Sequence, residues 1–200
     1  MEDVEDFVYL GSNFNKERGV EADVKRRIQK ARQAFIGLRK IWTNTNILER
    51  TKLRIFNSNV KSILLYGSET WRLNKSTVQK LQSFYNRCLR RIVNVHWPDT
   101  ISNKGLYDRT RQQPLEIDLK KRKWRWIGHT MRKPRDNITK RALLWNPQGN
   151  RVRGRPRNTW RREVEAEMKT VGMTWYNLEE MSRNRKDWRH FVDGLCSTGS

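Results

Sequence analysis

Apolar residues recur at alternating intervals of four and three along residues 24–42, which is the spacing of an amphipathic helix. These positions are Val24, Ile28, Ala31, Phe35, Leu38 and Trp42. Basic residues occupy much of the opposite face, with Lys25, Arg26, Arg27 and Lys30 among them. The pattern therefore predicts a first helix that buries one apolar stripe and presents a basic face.

Two further helices are predicted before residue 97. One covers about residues 48–66 and ends at Gly67, because glycine readily adopts the left-handed backbone that closes a helix. The other begins after residues 74–76 and carries the apolar residues Val78, Leu81, Phe84, Tyr85, Cys88, Leu89 and Ile92. Three such stripes can bury one another, so residues 20–97 are predicted to form a three-helix bundle.

The N-terminal segment has a different pattern. Residues 7–14 are rich in aromatic and β-branched residues and close with turn formers, which predicts one short strand or half of a hairpin within residues 1–19. A strand needs a partner for its backbone groups. The following hundred residues contain no second convincing strand, so we expect the segment to belong to a larger sheet.

The second half of the chain is less regular. Residues 98–113 are predicted to be a polar linker with a short helix around residues 104–109. Residues 114–200 are predicted to form an irregular helical region: Pro114 suits the first turn of its opening helix, and four turn formers make residues 146–158 a loop. Thr159 or Asn158 should cap the next helix. The predicted fold class is therefore mainly α, with an N-terminal strand or hairpin, a three-helix bundle and a second, irregular helical basic region.

Charge adds a function class to this picture. The chain has 43 lysine and arginine residues against 21 acidic residues, a net charge of +22, and residues 104–162 hold 19 of the basic residues and only 4 of the acidic ones. Such a field attracts polyanions. No apolar run approaches the roughly 20 residues of a membrane span. We therefore expect an intracellular protein of the nucleus, the cytoplasm or both, with no membrane partner and with Cys88 and Cys196 reduced.

Tryptophan and arginine alternate in two blocks, residues 124–129 and 154–162, and arginine occupies every second position from 151 to 157. Flat rings stack on bases, and guanidinium groups grip phosphates. Two tryptophans two positions apart on a helix diverge by about 200°, so at most one of Trp124 and Trp126 should face the core squarely. The other tryptophans are predicted to be core anchors: Trp42, Trp71, Trp97, Trp145, Trp175 and Trp188.

The candidate nucleic-acid contacts follow from these two blocks and the basic residues around them. The charged and hydrogen-bonding candidates are Lys120, Lys121, Arg122, Lys123, Arg125, His129, Arg132, Arg151, Arg153, Arg155, Arg157, Arg161 and Arg162. The candidate stacking residues are Trp124, Trp126 and Trp160. Ordinary packing competes with these roles, most clearly for His129 and the tryptophans.

Catalytic chemistry has little support. The only dense acidic cluster, Glu2, Asp3, Glu5 and Asp6, is interpreted as a solvated lead-in. Three histidines and two cysteines lack the spacing of a zinc site. We predict no catalytic residue, metal, cofactor or small-molecule ligand.

The order and spacing of four motifs resemble the C-terminal third of the endonuclease and reverse-transcriptase proteins of non-LTR (LINE-like) retrotransposons. The motifs are FVYLGS at residues 7–12, LLYGSETW at 64–71, WIGH at 126–129, and GRP at 154–156 followed by Thr159 and Trp160.

The resemblance implies a role for each region. Residues 1–19 would end the polymerase palm, with Tyr9, Leu10 and Gly11 in a primer-grip-like position. Residues 20–97 would be a thumb that holds the template and primer duplex, and residues 114–200 an extension that binds template RNA or target DNA. The catalytic aspartates and the endonuclease domain would lie upstream of Met1, so the chain would be a non-catalytic part of an RNA-directed DNA polymerase whose partners are nucleic acid and the missing palm and fingers.

One alternative belongs to another class. The chain could be a helical protein-interaction or structural module whose aromatic surface docks on a partner and whose basic surface only aids solubility.

Overall fold

A computed structural model of the chain describes residues 6–9, 12–15, 19–145 and 159–197, with side chains from 20–145 and 159–196. The described part is mainly helical, which confirms the predicted fold class. The chain divides into two compact units. Unit 1 comprises Met1–Ser68 and Leu73–Asp118, and unit 2 comprises Glu69–Arg72 and Leu119–Ser200.

Unit 1 opens with an antiparallel hairpin, β1 (Asp6–Tyr9) and β2 (Ser12–Asn15), in which Phe7 lies opposite Phe14. The predicted N-terminal strand or hairpin is therefore a hairpin, in which the segment pairs with itself. The helices of this unit are α1 (Gly19–Gly37), α2 (Arg39–Thr43), α3 (Glu49–Ile55), a π-helical segment (Phe56–Lys61), α4 (Ser62–Leu64), α5 (Lys75–Ile92) and α6 (Asn103–Thr110).

The predicted stripes form the core of unit 1. Its buried apolar residues include Val24, Ala31 and Phe35 on α1, Phe56, Val60 and Leu64 on the second helical segment, and Leu81, Tyr85 and Leu89 on α5. The first predicted helix extends through Trp42, whereas α1 ends at Gly37 and α2 follows. Trp42 still reaches back, since its Nε1 donates to the Phe35 carbonyl over 2.7 Å and its ring stacks on Phe35.

The predicted linker of residues 98–113 contains the short helix expected there, observed as α6. Ser102 caps α6 by accepting a hydrogen bond from the Gly105 amide, and Leu106 is fully buried. The division between the units falls between Asp118 and Leu119, five residues beyond this segment.

Unit 2 contains most of α7 (Leu115–Met131), together with α8 (Ile138–Leu144), α9 (Trp160–Thr170), α10 (Trp175–Arg183) and α11 (Arg185–Ser197). A short 3₁₀ turn, Ser68–Thr70, lies where the chain first enters this unit. Thr159 caps α9, as predicted, by accepting a hydrogen bond from the Arg162 amide. Across the described ranges, no helix combines the length and apolar character needed to cross a membrane.

Gly128 is essential to the packing of unit 2. A Cβ atom at this position would overlap the indole nitrogen of Trp188, so the ring would have to move. Trp188 Nε1 donates instead to the Trp124 carbonyl over 3.1 Å. Glycine at this point of the WIGH motif therefore lets the Trp188 ring rest directly on the α7 backbone.

Candidate nucleic-acid interface

In unit 1, α1 and α5 form the walls of a groove of about 1390 Å³. Polar residues line each wall at helical intervals of three and four: Lys25, Gln29 and Arg32 on α1, and Ser76, Lys80, Ser83 and Arg87 on α5. Val24 and Phe84 are buried beneath them. One face of each helix thus belongs to the core, and the adjoining face presents a basic rail to the groove.

The groove is strongly positive. Its basic residues are Lys25, Arg26, Arg32, Lys80 and Arg87, and its one acidic residue is Glu21, which accepts a hydrogen bond from Asn74. None of the five basic residues forms an ion pair with another residue whose side chain the structure describes. Four of them are exposed and Arg26 is half-buried. This charge is available to an anion, and a row of phosphates suits its extended shape.

Cys88 lies buried next to the groove. Burial raises the pKa of its thiol to about 12, against the opposing influence of the Arg87, Arg32 and Arg91 charges. The sulfur is therefore a neutral thiol at physiological pH. It does not neutralise the guanidinium groups of Arg32 and Arg87.

The predicted basic contacts at residues 120–123 lie on α7, and all four are engaged inside unit 2. Lys120 donates to the Leu195 carbonyl (2.8 Å), Lys121 pairs with Asp193 (3.2 Å), Arg122 with Glu69 (3.3 Å), and Lys123 with Glu163 (2.8 Å) and Glu167 (2.5 Å). Acidic residues distant in sequence thus compensate three of these four charges, and a backbone carbonyl holds Lys120. Lys123 is in addition buried, so it is not available to a phosphate in this conformation.

The tryptophans of the two blocks have different environments. Trp124 is 0% exposed, and its Nε1 donates to Glu167 Oε2 over 2.6 Å, so it is a core residue and not a stacking platform. Trp126 and Trp160 are half-buried and pack edge to face, with centroids 5.8 Å apart. Their rings occupy part of each other's stacking surface.

Three other predicted contacts have exposed side chains. Arg125 and His129 are exposed one turn apart on α7, and Arg162 is exposed on α9. Arg132 is half-buried and donates to the Ser182 carbonyl over 3.1 Å; burial, followed by the Arg185 charge, lowers its pKa. Arg161 is half-buried and pairs with Glu165 over 2.9 Å.

Several predicted residues lie outside the described part. These are Leu10, Gly11, Arg151, Arg153, Arg155 and Arg157. Tyr9 ends β1 opposite Ser12, and its side chain is not among those described. The primer-grip-like role and the arginine loop therefore stay predictions.

The described residues contain no group of three or more histidine, cysteine or acidic side chains placed to hold a metal ion. Cys88 and Cys196 are both buried, free thiols.

Two tryptophans contradict the prediction that they anchor the core. Trp97 is 91% exposed and Trp145 is 65% exposed, whereas Trp42, Trp71 and Trp188 are buried as predicted. A signal was present in the sequence, since each exposed tryptophan lies next to a proline or an asparagine-proline pair that ends the local pattern. The groove was also missed, although Lys25, Gln29 and Arg32 recur at helical spacing.

Comparisons with known proteins give a coarse relationship. Residues 34–66 match the family model of a domain of unknown function (DUF6451). The chain is 26% identical over 204 residues to an uncharacterized transposon-derived protein of Caenorhabditis elegans, covering 94% of this chain and 70% of that protein. No solved structure matches significantly. The chain is thus similar to a transposon-derived protein along nearly its whole length.

Proposed function

We propose that the chain is the C-terminal, non-catalytic region of a non-LTR retrotransposon reverse transcriptase, and that it binds template RNA and primer or target DNA through their phosphates. Similarity to a transposon-derived protein supports the element class. The four motifs, in their order, favour the reverse-transcriptase assignment within that class. The observation that carries the binding role is the uncompensated basic groove between α1 and α5.

The dimensions of the groove suit a nucleic-acid strand. Lys25 and Arg32 are seven residues apart on one wall, as are Lys80 and Arg87 on the other, so each rail is about 10 Å long. Along the axis of a B-form duplex each strand carries one phosphate per about 3.4 Å, so a rail that runs parallel to this axis spans about three of them. A rail therefore offers charge over a short run of backbone.

The polar residues of the groove favour binding without sequence readout. Ser76, Ser83, Gln29 and Gln79 line it, and such side chains donate hydrogen bonds to phosphate and sugar oxygens. Contacts of this kind position a strand without distinguishing its bases. The whole groove therefore suits a duplex or single strand held by its backbone.

The rival role, a structural or protein-interaction module, is favoured in unit 2 by the internal pairing of residues 120–123. There, basic residues join helices to one another. We propose that the groove of unit 1 is the main phosphate-binding surface and that α7 contributes through Arg125 and His129.

The test is binding of a primed RNA/DNA duplex by the full chain across a salt series. The groove variant carries Arg32→Gln, Lys80→Gln and Arg87→Gln. Its matched control carries Lys30→Gln, Arg39→Gln and Lys40→Gln, which remove the same charge from exposed positions outside the groove. The groove variant should bind at least tenfold more weakly at low salt, and its log–log salt slope should fall by about 2 to 3, since each lost duplex phosphate contact removes about 0.9.

The control should change little beyond a weak, general loss of attraction. Equal losses in the two triple variants would contradict a groove site, because the charge would then act without regard to position. No binding by the folded wild-type chain would favour the structural module.

A further inference from the structure

A small pocket of about 480 Å³ lies at the C-terminal end of α8 in unit 2. Its residues are Arg135, Lys140, Arg141, Leu144, Trp145 and Glu179. The indole of Trp145 is 65% exposed, although tryptophan side chains are highly buried on average. An exposed ring beside basic residues is the composition of a stacking site.

The backbone beneath this ring is held in place. Arg161 Nη1 donates to the Leu143 carbonyl over 3.1 Å and to the Trp145 carbonyl over 3.4 Å. Arg161 is itself fixed by its ion pair with Glu165 and by the Trp175 ring, whose centroid lies 5.0 Å from its guanidinium carbon. The indole is therefore presented by an anchored segment, which reduces the entropy lost on binding.

The charges around the pocket are unevenly compensated. Lys140 Nζ is buried and lies 2.9 Å from Glu179 Oε1 and 2.7 Å from the Met131 carbonyl, so Lys140 and Glu179 cancel each other. Arg135 and Arg141 are exposed and form no ion pair with another residue whose side chain is described. The pocket thus keeps two available guanidinium groups next to the ring.

We propose that this pocket binds one unpaired base of a single-stranded nucleic acid, which stacks on Trp145 while Arg135 and Arg141 contact the flanking phosphates. In a duplex the base faces are covered by neighbouring bases, so a lone indole gains a stacking partner only from a splayed or single-stranded base. The inference rests on the proposed function only in taking nucleic acid as the ligand. It concerns a site that is separate from the groove and recognises the base, whereas the groove recognises the backbone.

The experiment measures binding of two probes by the full chain at one salt concentration. One probe is a single-stranded RNA 12-mer, and the other is an abasic phosphodiester of the same length and charge. Trp145→Ala should weaken binding of the RNA about fivefold or more, the lower end of the loss expected for one stacked base, and should leave the abasic probe unchanged. Trp145→Phe should restore most of the affinity because it keeps a flat ring.

Trp97→Ala is the matched control, since it removes another exposed indole that lies outside this pocket and should leave both affinities unchanged. Circular dichroism verifies that each variant keeps its helices. An unchanged affinity of Trp145→Ala for RNA would overturn the proposal, as would an equal loss on the two probes.

The groove variant separates this proposal from the proposed function. Failure of the groove would leave that variant's duplex binding equal to its control. Failure of the pocket would instead appear as RNA binding that does not depend on the ring at position 145.

Discussion

The two units use basic side chains in opposite ways. In unit 1, Lys25, Arg32, Lys80 and Arg87 line a groove and form no ion pair with another described side chain. In unit 2, the basic run at residues 120–123 is engaged internally, by three ion-paired side chains and by one that donates to a carbonyl. The densest basic run on α7 is thus the one least available to a ligand.

The difference shows that local charge density does not by itself identify a binding surface. A basic residue is available only when no acidic partner lies across from it, and that depends on which helices pack together. For Lys123 the partners are Glu163 and Glu167, about 40 residues away in sequence. The two carboxylates are four positions apart on α9, so they lie on one face and enclose a single ammonium group.

The largest effect is expected from overfilling the core of unit 2. Gly128→Ala should lower the free energy of unfolding by about 3 kcal/mol, because the new methyl group would collide with Trp188 and displace its hydrogen bond to the Trp124 carbonyl. Urea unfolding followed by tryptophan fluorescence measures the loss.

Gly194→Ala provides the control in the same unit. Gly194 lies in α11, and apart from its chain neighbours and the backbone of its own helix no atom lies within 4 Å of an added Cβ, so alanine should stabilise the helix by up to about 1 kcal/mol. Similar unfolding curves for the two variants would show that the Gly128 contact is not a determinant of packing.

Neutralising one lysine from each unit tests the comparison directly. Lys123→Gln should lower the free energy of unfolding by about 2 kcal/mol, because it leaves two partly buried carboxylates without their cation. Lys80→Gln removes the same charge from an exposed groove position and should change stability by less than about 0.5 kcal/mol. Urea unfolding at constant pH and salt measures the pair, and equal values would remove the distinction between structural and available charge.

Much of the fold could be predicted because helix periodicity is a local property. Most residues of the stripe from Val24 to Trp42 and of the stripe on α5 are buried, although Ile28, Leu38 and Val78 are half-buried. The predicted helix stop at Gly67 is confirmed by its left-handed φ of 74°. The bounds of the two hairpin strands were not predicted, since Ser12–Asn15 contains few residues with strong strand preference. The break between α1 and α2 was missed because the apolar spacing continues unchanged across it.

The candidate site was harder to predict because availability depends on tertiary packing. No local pattern reveals that Trp124 donates to Glu167 or that Arg122 pairs with Glu69, since the partners are 43 and 53 residues away. Helical spacing did contain one usable signal. It places Lys25, Gln29 and Arg32 on one face of α1, but only the packing of α5 beside that face makes a groove.

Alkaline pH should weaken unit 1 by a smaller amount. Burial raises the pKa of the Cys88 thiol from 9.0 to about 12, and burial, with Asp118 and Tyr107, raises the pKa of the Tyr85 hydroxyl well above its usual range. Folding therefore favours the protonated forms, whose contribution is complete below pH 9 and declines as pH rises. Burial also raises the pKa of the Cys196 thiol in unit 2, so the test is made in a Cys196→Ala background. There the unfolding free energy should fall by about 1 kcal/mol between pH 7 and pH 9.5, and adding Cys88→Ala should remove most of that fall. If the unfolding free energy of the Cys88→Ala variant in this background falls by the same amount over this pH range, other groups cause the alkaline loss of stability.

Acid pH should lower the stability of unit 2, and this is the smallest of the expected effects. The hydrogen bond from Lys140 lowers the pKa of Glu179, against the opposing effect of burial, and the Lys140, Arg135 and Arg183 charges lower it further. Folding thus favours the carboxylate, so its contribution is present above the unfolded-state pKa of 4.5 and is lost as pH falls through the lower folded-state value. Because Glu179 is partly exposed, water screens the interaction and the loss should be modest. Urea unfolding of wild type and Glu179→Gln at pH 3 and pH 7 measures the contribution of this carboxylate. The variant should be less stable than wild type at pH 7. This stability difference should shrink at pH 3, because the wild-type carboxylate is also losing its charge there. A stability difference that stays constant across this range would mean that the Lys140–Glu179 pair acts through packing and not through charge.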